Sequence, residues 1–395
     1  MHLTGDHVGE AGGGRVDLRL ATAAAMGAIL VGLGLARFAF APLQPALVVD
    51  GWFDGSDASL LASANLAGYL LGALFADRLA RRVAPVTLLR LFVLAIGLSF
   101  IACADPGLPY PWFFFWRVVS GVAGGAIMVI TGPTLLAHVP QTRRAFFSQL
   151  TLYGIGIGIL VAGVVTPVLL GIGVGETWIA LGVLSIAVAL VTWRMWPATP
   201  PPAARPAGER PSARLFILQY GLIAVAIVPH MVYLADYIAR DLDRGVTSAS
   251  HFYVIYGVGA LIGPLVYAAL SPRIGLRTTL RVAFGVQLAA VLLLLAGGDD
   301  VTLVLSSFLA GLGMPGLVAL FLARSQQIAD GDPLRHRALW GLVIVSFSVA
   351  QTITAFIVSY LLRVYGEDGI GYPLLFGAAA IAVVVTFLVD LRIRR

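Results

Sequence analysis

The 395-residue chain contains no lysine, so arginine supplies all 26 of its basic side chains. It has one cysteine, Cys103, which excludes an internal disulfide and a metal site built from cysteines. Charged residues make up only 12% of the chain, well below the share in a soluble globular protein. The formal charge of +6 could suggest a nucleic-acid partner. The arginines are dispersed between apolar runs rather than clustered on a polar face, which excludes that class.

The apolar residues, 59% of the chain, are gathered into long runs. A bilayer core needs roughly 20 apolar residues per helix, and twelve runs qualify. Their approximate bounds are 20–48, 58–77, 84–104, 111–136, 146–172, 176–196, 215–236, 250–270, 278–297, 301–323, 338–362 and 371–390. The sequence therefore predicts an all-α membrane protein with twelve transmembrane helices.

A Pro-rich stretch, Pro197 to Arg214, is the one long polar interruption between the runs and reads as a linker. It divides the chain into an N-terminal half (1–196), a cytoplasmic linker (197–214) and a C-terminal half (215–395). The loop after the second run reads ADRLARR and the loop after the eighth reads SPRIGLR. These matching positions predict two pseudo-symmetric six-helix halves.

Arginine also predicts the orientation, because basic residues in short loops stay on the cytoplasmic side. With the N-terminus inside, 21 arginines fall in inner loops or at the termini, and only Arg240, Arg244 and Arg363 fall in outer loops. We expect a multi-pass protein of a prokaryotic inner membrane with both termini cytoplasmic. The polar stretch before Arg19 shows no cleavage site, so no cleaved targeting segment is expected.

Two motifs resemble signatures of the major facilitator superfamily of secondary transporters. LFADRLARR supplies an acid and three arginines after the second helix, and RVVSGVAGG supplies Arg117 and Gly121 on the fourth. The opening GLARFAFAPLQP looks like the YbfB/YjiJ branch of that superfamily. Two departures stand out: Pro272 replaces the acid in the second half, and the antiporter signature of helix five is not met. The resemblance implies two six-helix bundles that rock around a central site.

An acid at the inner end of the second helix, Asp77, can pair with arginines across its loop and close an inner gate. The predicted gating residues are Asp77, Arg78, Arg81, Arg82, Arg273 and Arg277. The alternative is a loop whose arginines only set the orientation.

Arg37 lies near the middle of the first apolar run, where an arginine costs about 2.5–3.5 kcal/mol even on the lenient insertion scale. At that depth it cannot easily reach the surface, so we expect it to face an interior cavity. The predicted substrate-binding residues are Arg37, Gln44, Asn65, Tyr69, Arg117, His230, Tyr233, Tyr256 and Gln351. The alternative is that Arg37 and Arg117 are held permanently by amides and carbonyls, and that the other polar side chains form bonds between helices.

Every acidic residue falls in a loop or at the end of a predicted helix, so the interior has no carboxylate to neutralise Arg37 or Arg117. An anionic solute of carboxylate type would supply the missing partner. The candidates for proton coupling are His230 and then Asp236, which ends its predicted helix.

The sequence predicts a secondary active transporter of a small organic solute. A proton-coupled efflux permease for sugars or drugs is the alternative. An intramembrane enzyme is disfavoured, because His230 has no second catalytic group at its depth. The absence of a P-loop removes support for transport driven by ATP in this chain. We expect no cofactor and no metal, a monomer in the lipid bilayer, a small-molecule substrate, and protons or a counter-anion as coupling partners.

Overall fold

The computed structural model describes residues 16–197, 213–330, 332–365 and 371–393. Most of the predicted linker, residues 198–212, lies outside these ranges. Within them the chain forms helices and no strand, and twelve helices are long and apolar enough to cross a membrane. They are α1 (Leu18–Val49), α2 (Gly55–Ala80), α3 (Pro85–Ala102), α4 (Tyr110–Leu136), α5 (Arg144–Leu170), α6 (Val174–Thr192), α7 (Arg214–Asp241), α8 (Gly245–Ile274), α9 (Leu276–Ala296), α10 (Asp300–Ile328), α11 (Pro333–Tyr365) and α12 (Gly371–Arg392). A short 3₁₀ turn, Gln141–Arg143, precedes α5.

Each predicted apolar run corresponds to one of these helices, which confirms the predicted fold class. Several helix ends differ from the predicted bounds, and the end of the seventh helix bears on a candidate residue. The sequence placed Asp236 at the end of the seventh helix, but α7 continues to Asp241. The reason is that Arg240, one turn later, pairs with the Asp236 carboxylate. Because the pair carries no net charge, the acid does not need water and the helix does not have to end there.

Helix α1 has three segments: an α-helix at Leu18–Ile29, a π-helix at Leu30–Phe38 and a second α-helix at Phe40–Val49. Short π-helical segments are rare and often occur at functional sites. This one contains Arg37. It also changes the helical spacing, so Gln44, seven residues after Arg37, need not lie on the same face of the helix.

Glycines allow the closest approaches within each half. A Cβ on Gly121 of α4 would lie 2.0 Å from the carbonyl oxygen of Asn65 in α2. The same packing occurs in the other half, where a Cβ on Gly311 of α10 would lie 2.1 Å from the carbonyl oxygen of Tyr256 in α8. Only a residue without a Cβ fits between such close backbones. The α2/α4 and α8/α10 pairs are therefore built alike.

The two halves meet through α2 against α11 and through α5 against α8. We call the end of the bundle at which α1 begins the inner end, following the predicted orientation, and the opposite end the outer end. Ser59 of α2 and Ser359 of α11 join the halves near the outer end, with their hydroxyl oxygens 2.8 Å apart. Toward the inner end, a cavity of about 470 Å³ lies between α5, α8 and α10.

Candidate functional site

Arg37 lies at the junction of the two halves. Its Nη1 donates a hydrogen bond to Oε1 of Gln351 in α11 at 3.2 Å and lies 3.8 Å from the sulfur of Met231 in α7. Its guanidinium carbon stands 4.3 Å from the centre of the Tyr69 ring in α2. Arg37, Tyr69 and Gln351, which the sequence proposed separately, are therefore together in the structure, and they connect both halves.

Aromatic side chains surround this guanidinium. Tyr253 and Tyr256 of α8 are buried and stacked, with ring centres 5.5 Å apart and planes inclined by 18°. Four tyrosines interact electrostatically with Arg37: Tyr69, Tyr220, Tyr253 and Tyr256. The face of the Tyr69 ring, which lies against the guanidinium, carries partial negative charge and stabilises a buried cation without an ion pair. The surroundings of Arg37 are therefore electron-rich but contain no carboxylate among the described residues within salt-bridge distance.

Several polar atoms in this region are buried without a hydrogen-bond partner among the described residues. They include Nη2 of Arg37, Nε2 of Gln351 and the hydroxyl of Tyr256. All three atoms can donate a hydrogen bond. A buried donor with no partner costs about 1–3 kcal/mol. Unpaired donors around a single cation are the features expected of a site for an anion.

Arg117, the second intramembrane arginine, is bound differently. Its Nη1 donates to the carbonyl oxygen of Ala36 at 3.1 Å, and its Nε donates to that of Leu61 at 3.5 Å. Its guanidinium carbon lies 4.1 Å from the centre of the Phe40 ring. All these contacts are within the N-terminal half. Since Ala36 precedes Arg37, Arg117 holds the backbone that carries the central arginine.

Two more predicted binding residues lie in the N-terminal half. Asn65 donates from its side-chain amide to the carbonyl oxygen of Arg117 at 3.4 Å, so it supports α4. Gln44 is fully buried, and neither its amide nitrogen nor its amide oxygen has a partner among the described residues. Asn65 therefore bonds to the backbone of α4, while both polar atoms of the Gln44 side chain could still bond to a ligand. Their assignment to the substrate site stays a prediction.

Tyr233 belongs to a hydroxyl cluster on the outer side of the bundle, which we call the outer serine cluster: Ser59, Ser63, Tyr233 and Ser359. Ser59 donates to the Tyr233 hydroxyl at 3.2 Å, and Tyr233 donates to the carbonyl oxygen of Ala355 at 3.3 Å. Ser63 lies 2.9 Å from Ser359. The cluster joins α2 to α7 and α11. Its serines were not predicted from the sequence, because isolated serines in apolar helices carry no distinctive spacing.

His230 is buried inside the C-terminal half and bonds to residues of that half. Its Nε2 lies 2.9 Å from the hydroxyl of Ser306 in α10, which in turn donates to the carbonyl oxygen of Ala290. Its ring centre is 6.1 Å from that of Phe376 in α12. Nδ1 of His230 has no partner among the described residues. The structure thus places His230 between helices of a single half, and its coupling role stays a prediction.

Asp236, the second candidate for proton coupling, is fully buried on the outer side of α7. Arg240 binds it with two nitrogens, Nε at 2.6 Å and Nη2 at 2.5 Å, and the Tyr372 hydroxyl donates to the same carboxylate. The Arg240 guanidinium also lies against the first residue of α2, Gly55. The i,i+4 spacing of Asp236 and Arg240 could have signalled this pair in the sequence.

The predicted gating residues divide into two groups. Asp77 and Arg78 end α2, with Arg81 and Arg82 just beyond it, and all four side chains are exposed at the inner end. Arg273 is exposed and donates to the carbonyl oxygen of Ala269. Arg277 instead donates to the carbonyl oxygens of Asp390 and Ile393 in its own half, at 2.6 and 2.7 Å. A gating role for these residues stays a prediction.

Residues 29–390 match the family described as "Uncharacterised MFS-type transporter YbfB". The chain belongs to this family. The match includes all of α2 to α11 and nearly all of α12. It also includes most of α1, with the π-helical segment that contains Arg37. The protein is therefore a multi-pass membrane transporter of the major facilitator superfamily.

Three relatives are also named as transporters or solute carriers. The chain is 25% identical over 272 residues to the uncharacterized MFS-type transporter YceJ of Bacillus subtilis, covering 63% of this chain and 66% of that protein. It is 23% identical over 382 residues to the gentisate transporter of Corynebacterium glutamicum, covering 90% of this chain and 84% of that one. A shorter match, 30% identical over 124 residues, is to solute carrier family 22 member 7 of Mus musculus, covering 31% and 21% respectively. Membership of this family implies a small-molecule substrate, and none of these names describes an enzyme.

Proposed function

We propose that this protein is a secondary active transporter that moves a small organic carboxylate across the inner membrane by alternating access. The observation that carries the proposal is the arrangement at Arg37. A permanently charged guanidinium lies between the two halves, bound to the neutral amide of Gln351. Its Nη2 has no partner among the described residues.

The chemistry of these groups favours a carboxylate over a cation or a neutral solute. Arg37 offers Nη2, Gln351 offers Nε2 and Tyr256 offers a hydroxyl, all buried and unpartnered within the described residues. A carboxylate only accepts hydrogen bonds, so it matches three donors. Bonds from an arginine to a carboxylate are charge-assisted and about twice as strong as neutral ones. A cationic solute would be repelled by Arg37, which has no carboxylate within salt-bridge distance among the described residues.

The aromatic surroundings support a solute with a flat ring. The face of Tyr69 in α2 lies against the guanidinium, and the stacked rings of Tyr253 and Tyr256 in α8 are close to it. Aromatic rings prefer offset-stacked or edge-to-face contacts with such surfaces. One relative is named as a gentisate transporter, and gentisate is an aromatic carboxylate. We therefore expect benzoate-type acids to bind better than aliphatic acids of equal charge.

The contacts between the halves support alternating access. The outer serine cluster joins α2 to α11 at one end, while the cavity between α5, α8 and α10 lies toward the other. A solute on Arg37 would touch both halves at once. Binding energy can then shift the equilibrium between inward-facing and outward-facing arrangements, because the solute makes different contacts in the two.

A ligand-stabilisation screen of the purified full-length protein tests the proposal. Melting temperature is measured with benzoate-type carboxylates, aliphatic carboxylates, neutral sugars and amphipathic cations at equal ionic strength. A ligand that binds only the folded protein raises the melting temperature by mass action. We expect aromatic carboxylates to give the largest, saturable increase, and the Arg37→Gln variant to lose it.

The Arg37→Lys variant separates charge from geometry. It keeps the positive charge but lacks the planar fork that binds a carboxylate with two parallel bonds. We expect intermediate binding, weaker than wild type and stronger than Arg37→Gln. Tight binding of a sugar or a cation, or unchanged carboxylate binding by both variants, would show that Arg37 has a structural role and that the anion assignment is wrong.

A further inference from the structure

The inner ends of α7, α9, α10 and α12 meet around a small pocket in the C-terminal half. Its polar lining consists of Gln219, Arg277, Arg324 and Asp390. None of these residues belongs to the set around Arg37. The gating role predicted for Arg277 stays a prediction, and the structure places its side chain in the lining of this pocket.

The pocket and its rim hold more positive than negative charge. The Asp390 carboxylate lies 2.6 Å from Nε of Arg281 and 3.5 Å from Nε of Arg277, and Gln219 donates to it at 3.3 Å. Arg324 of α10 donates to the side-chain oxygen of Gln327 and pairs with no carboxylate among the described residues. Three guanidinium groups thus face a single carboxylate, which leaves an excess of two positive charges.

A hydrogen-bond donor of the pocket also lacks a partner among the described residues. Nε of Arg277 is buried and has no hydrogen-bond partner among the described residues. Helix α9 begins at this pocket with Leu276, and its N-cap residue, Gly275, has no side chain to accept from the N–H groups of the first turn. The N-terminus of a 21-residue helix carries partial positive charge. Arginines and the positive end of a helix together attract an oxyanion with several acceptor oxygens.

The remaining lining is apolar. Phe216, Leu280 and Ile393 form the walls, while the side chains of Arg277 and Arg281 are 26% and 33% exposed. The two arginines are therefore partly accessible at the end of the helices, at the depth where the headgroups of a bilayer lie. Basic pockets between helix ends at this depth suit the headgroups of anionic lipids. An apolar wall beside the arginines can contact the glycerol and the upper acyl chains.

We propose that this pocket binds a phosphate group, presented by an anionic phospholipid of the surrounding bilayer. Arg324 pairs with no carboxylate among the described residues, whereas Arg277 and Arg281 both pair with Asp390. The bound phosphate offsets the excess charge and ties α10 to α9 and α12. The same chemistry would accept free phosphate from solution, so the experiment includes both sources.

The test uses purified, delipidated full-length protein. Lipid adducts are counted by native mass spectrometry, and melting temperature is measured with phosphatidylglycerol, with phosphatidylcholine and with inorganic phosphate at matched ionic strength. We expect phosphatidylglycerol to bind and stabilise the wild type more than phosphatidylcholine does. The Arg324→Gln variant should bind it about tenfold more weakly, since it loses a charge-assisted bond, and Arg324→Lys should recover part of the affinity.

Arg273→Gln is the matched control. Arg273 is an exposed arginine one turn before the pocket, bonded to the carbonyl oxygen of Ala269, and it does not line the pocket. The Arg273→Gln variant should bind phosphatidylglycerol as well as the wild type does. Melting without lipid checks the folding of each variant. If Arg324→Gln equals Arg273→Gln, or if phosphatidylcholine stabilises as well as phosphatidylglycerol while phosphate does nothing, the proposal is wrong. If inorganic phosphate matches the lipid and Arg324→Gln weakens both, the phosphate site stands and its source is the solution.

Discussion

Arg37 of the N-terminal half donates a hydrogen bond to Gln351 of the C-terminal half, from Nη1 to Oε1 at 3.2 Å. The acceptor is a neutral amide. Arg37 therefore links the two halves while its positive charge remains without a charged partner there. This bond connects solute binding to the relative position of the halves, because a carboxylate on Arg37 would also contact α11.

Replacing Gln351 by glutamate should block the proposed site from within. The Gln351→Glu side chain has nearly the same shape, but its carboxylate would pair with Arg37 and take the place of the solute. We expect the variant to bind a carboxylate at least about tenfold more weakly, because Arg37 already pairs with the new glutamate. The melting temperature should not fall. Gln351→Met is the control, because it removes the amide without neutralising Arg37 and should bind better than Gln351→Glu. Equal binding by wild type and Gln351→Glu would contradict the site.

Arg117 should affect stability more than binding. Its guanidinium satisfies the carbonyl oxygens of Ala36 and Leu61 inside one half. Arg117→Met keeps the apolar length but removes those donors, and a buried acceptor left unpaired costs about 1–3 kcal/mol. We expect a clear fall in the melting temperature, while Arg37→Met should change melting less and solute binding more. The reverse order would show that Arg117, and not Arg37, contacts the solute.

The sequence predicted the helices well and the pairing of side chains poorly. Twelve apolar runs suffice to predict the twelve helices, since a bilayer imposes helix length and satisfies no backbone group. The orientation inferred from the loop arginines stays a prediction. The cost of burying Arg37 predicted a place in the interior, and its side chain is buried, at the junction of the halves. The role of Arg117 was left open, because its acceptors are backbone carbonyls, which no side-chain pattern reveals. Asp390 and Arg281 lie 109 positions apart and meet only when α12 packs on α9.

The outer serine cluster offers a cross-link across the halves. The hydroxyl oxygens of Ser59 and Ser359 are 2.8 Å apart, close enough for cysteines there to form a disulfide after a small adjustment. The native Cys103 is buried. In a Cys103→Ser background, oxidising Ser59→Cys/Ser359→Cys should stop transport, and a reducing agent should restore it. Each single cysteine variant should transport normally under oxidant. Full transport by the cross-linked protein would mean that the halves need not separate here.

His230 remains the first candidate for proton coupling, and its hydrogen bond to Ser306 makes the test specific. Glutamine in its place can still bond to the Ser306 hydroxyl but cannot take up a proton between pH 5 and 8. We expect His230→Gln to lose accumulation driven by a pH gradient while keeping exchange and downhill flux in proteoliposomes. Unchanged dependence on the gradient would exclude His230 and direct attention to Asp236.

Closure of the outer end should depend on a glycine. A Cβ on Gly55, the first residue of α2, would lie 2.6 Å from Nη1 of Arg240 in the other half. Arg240 cannot simply swing away, because Asp236 binds it through two nitrogens. Beside Gly55, the backbone N–H of Asp57 donates to Asp54 and lowers the pKa of that carboxyl, so Asp54 stays ionised near Arg363.

Gly55→Ala should therefore favour the outward-open arrangement. The alanine does not harm α2 itself, since it is a better helix former than glycine and the Asp54 cap remains. We expect a cysteine at Ser359 to react faster with a membrane-impermeant thiol reagent when Gly55→Ala is present, in a Cys103→Ser background. Gly377→Ala in α12 is the control, because its Cβ would meet nothing within 4 Å, and it should leave the rate unchanged. If Gly55→Ala reacts no faster than Gly377→Ala, the contact between Arg240 and α2 does not limit opening at the outer end.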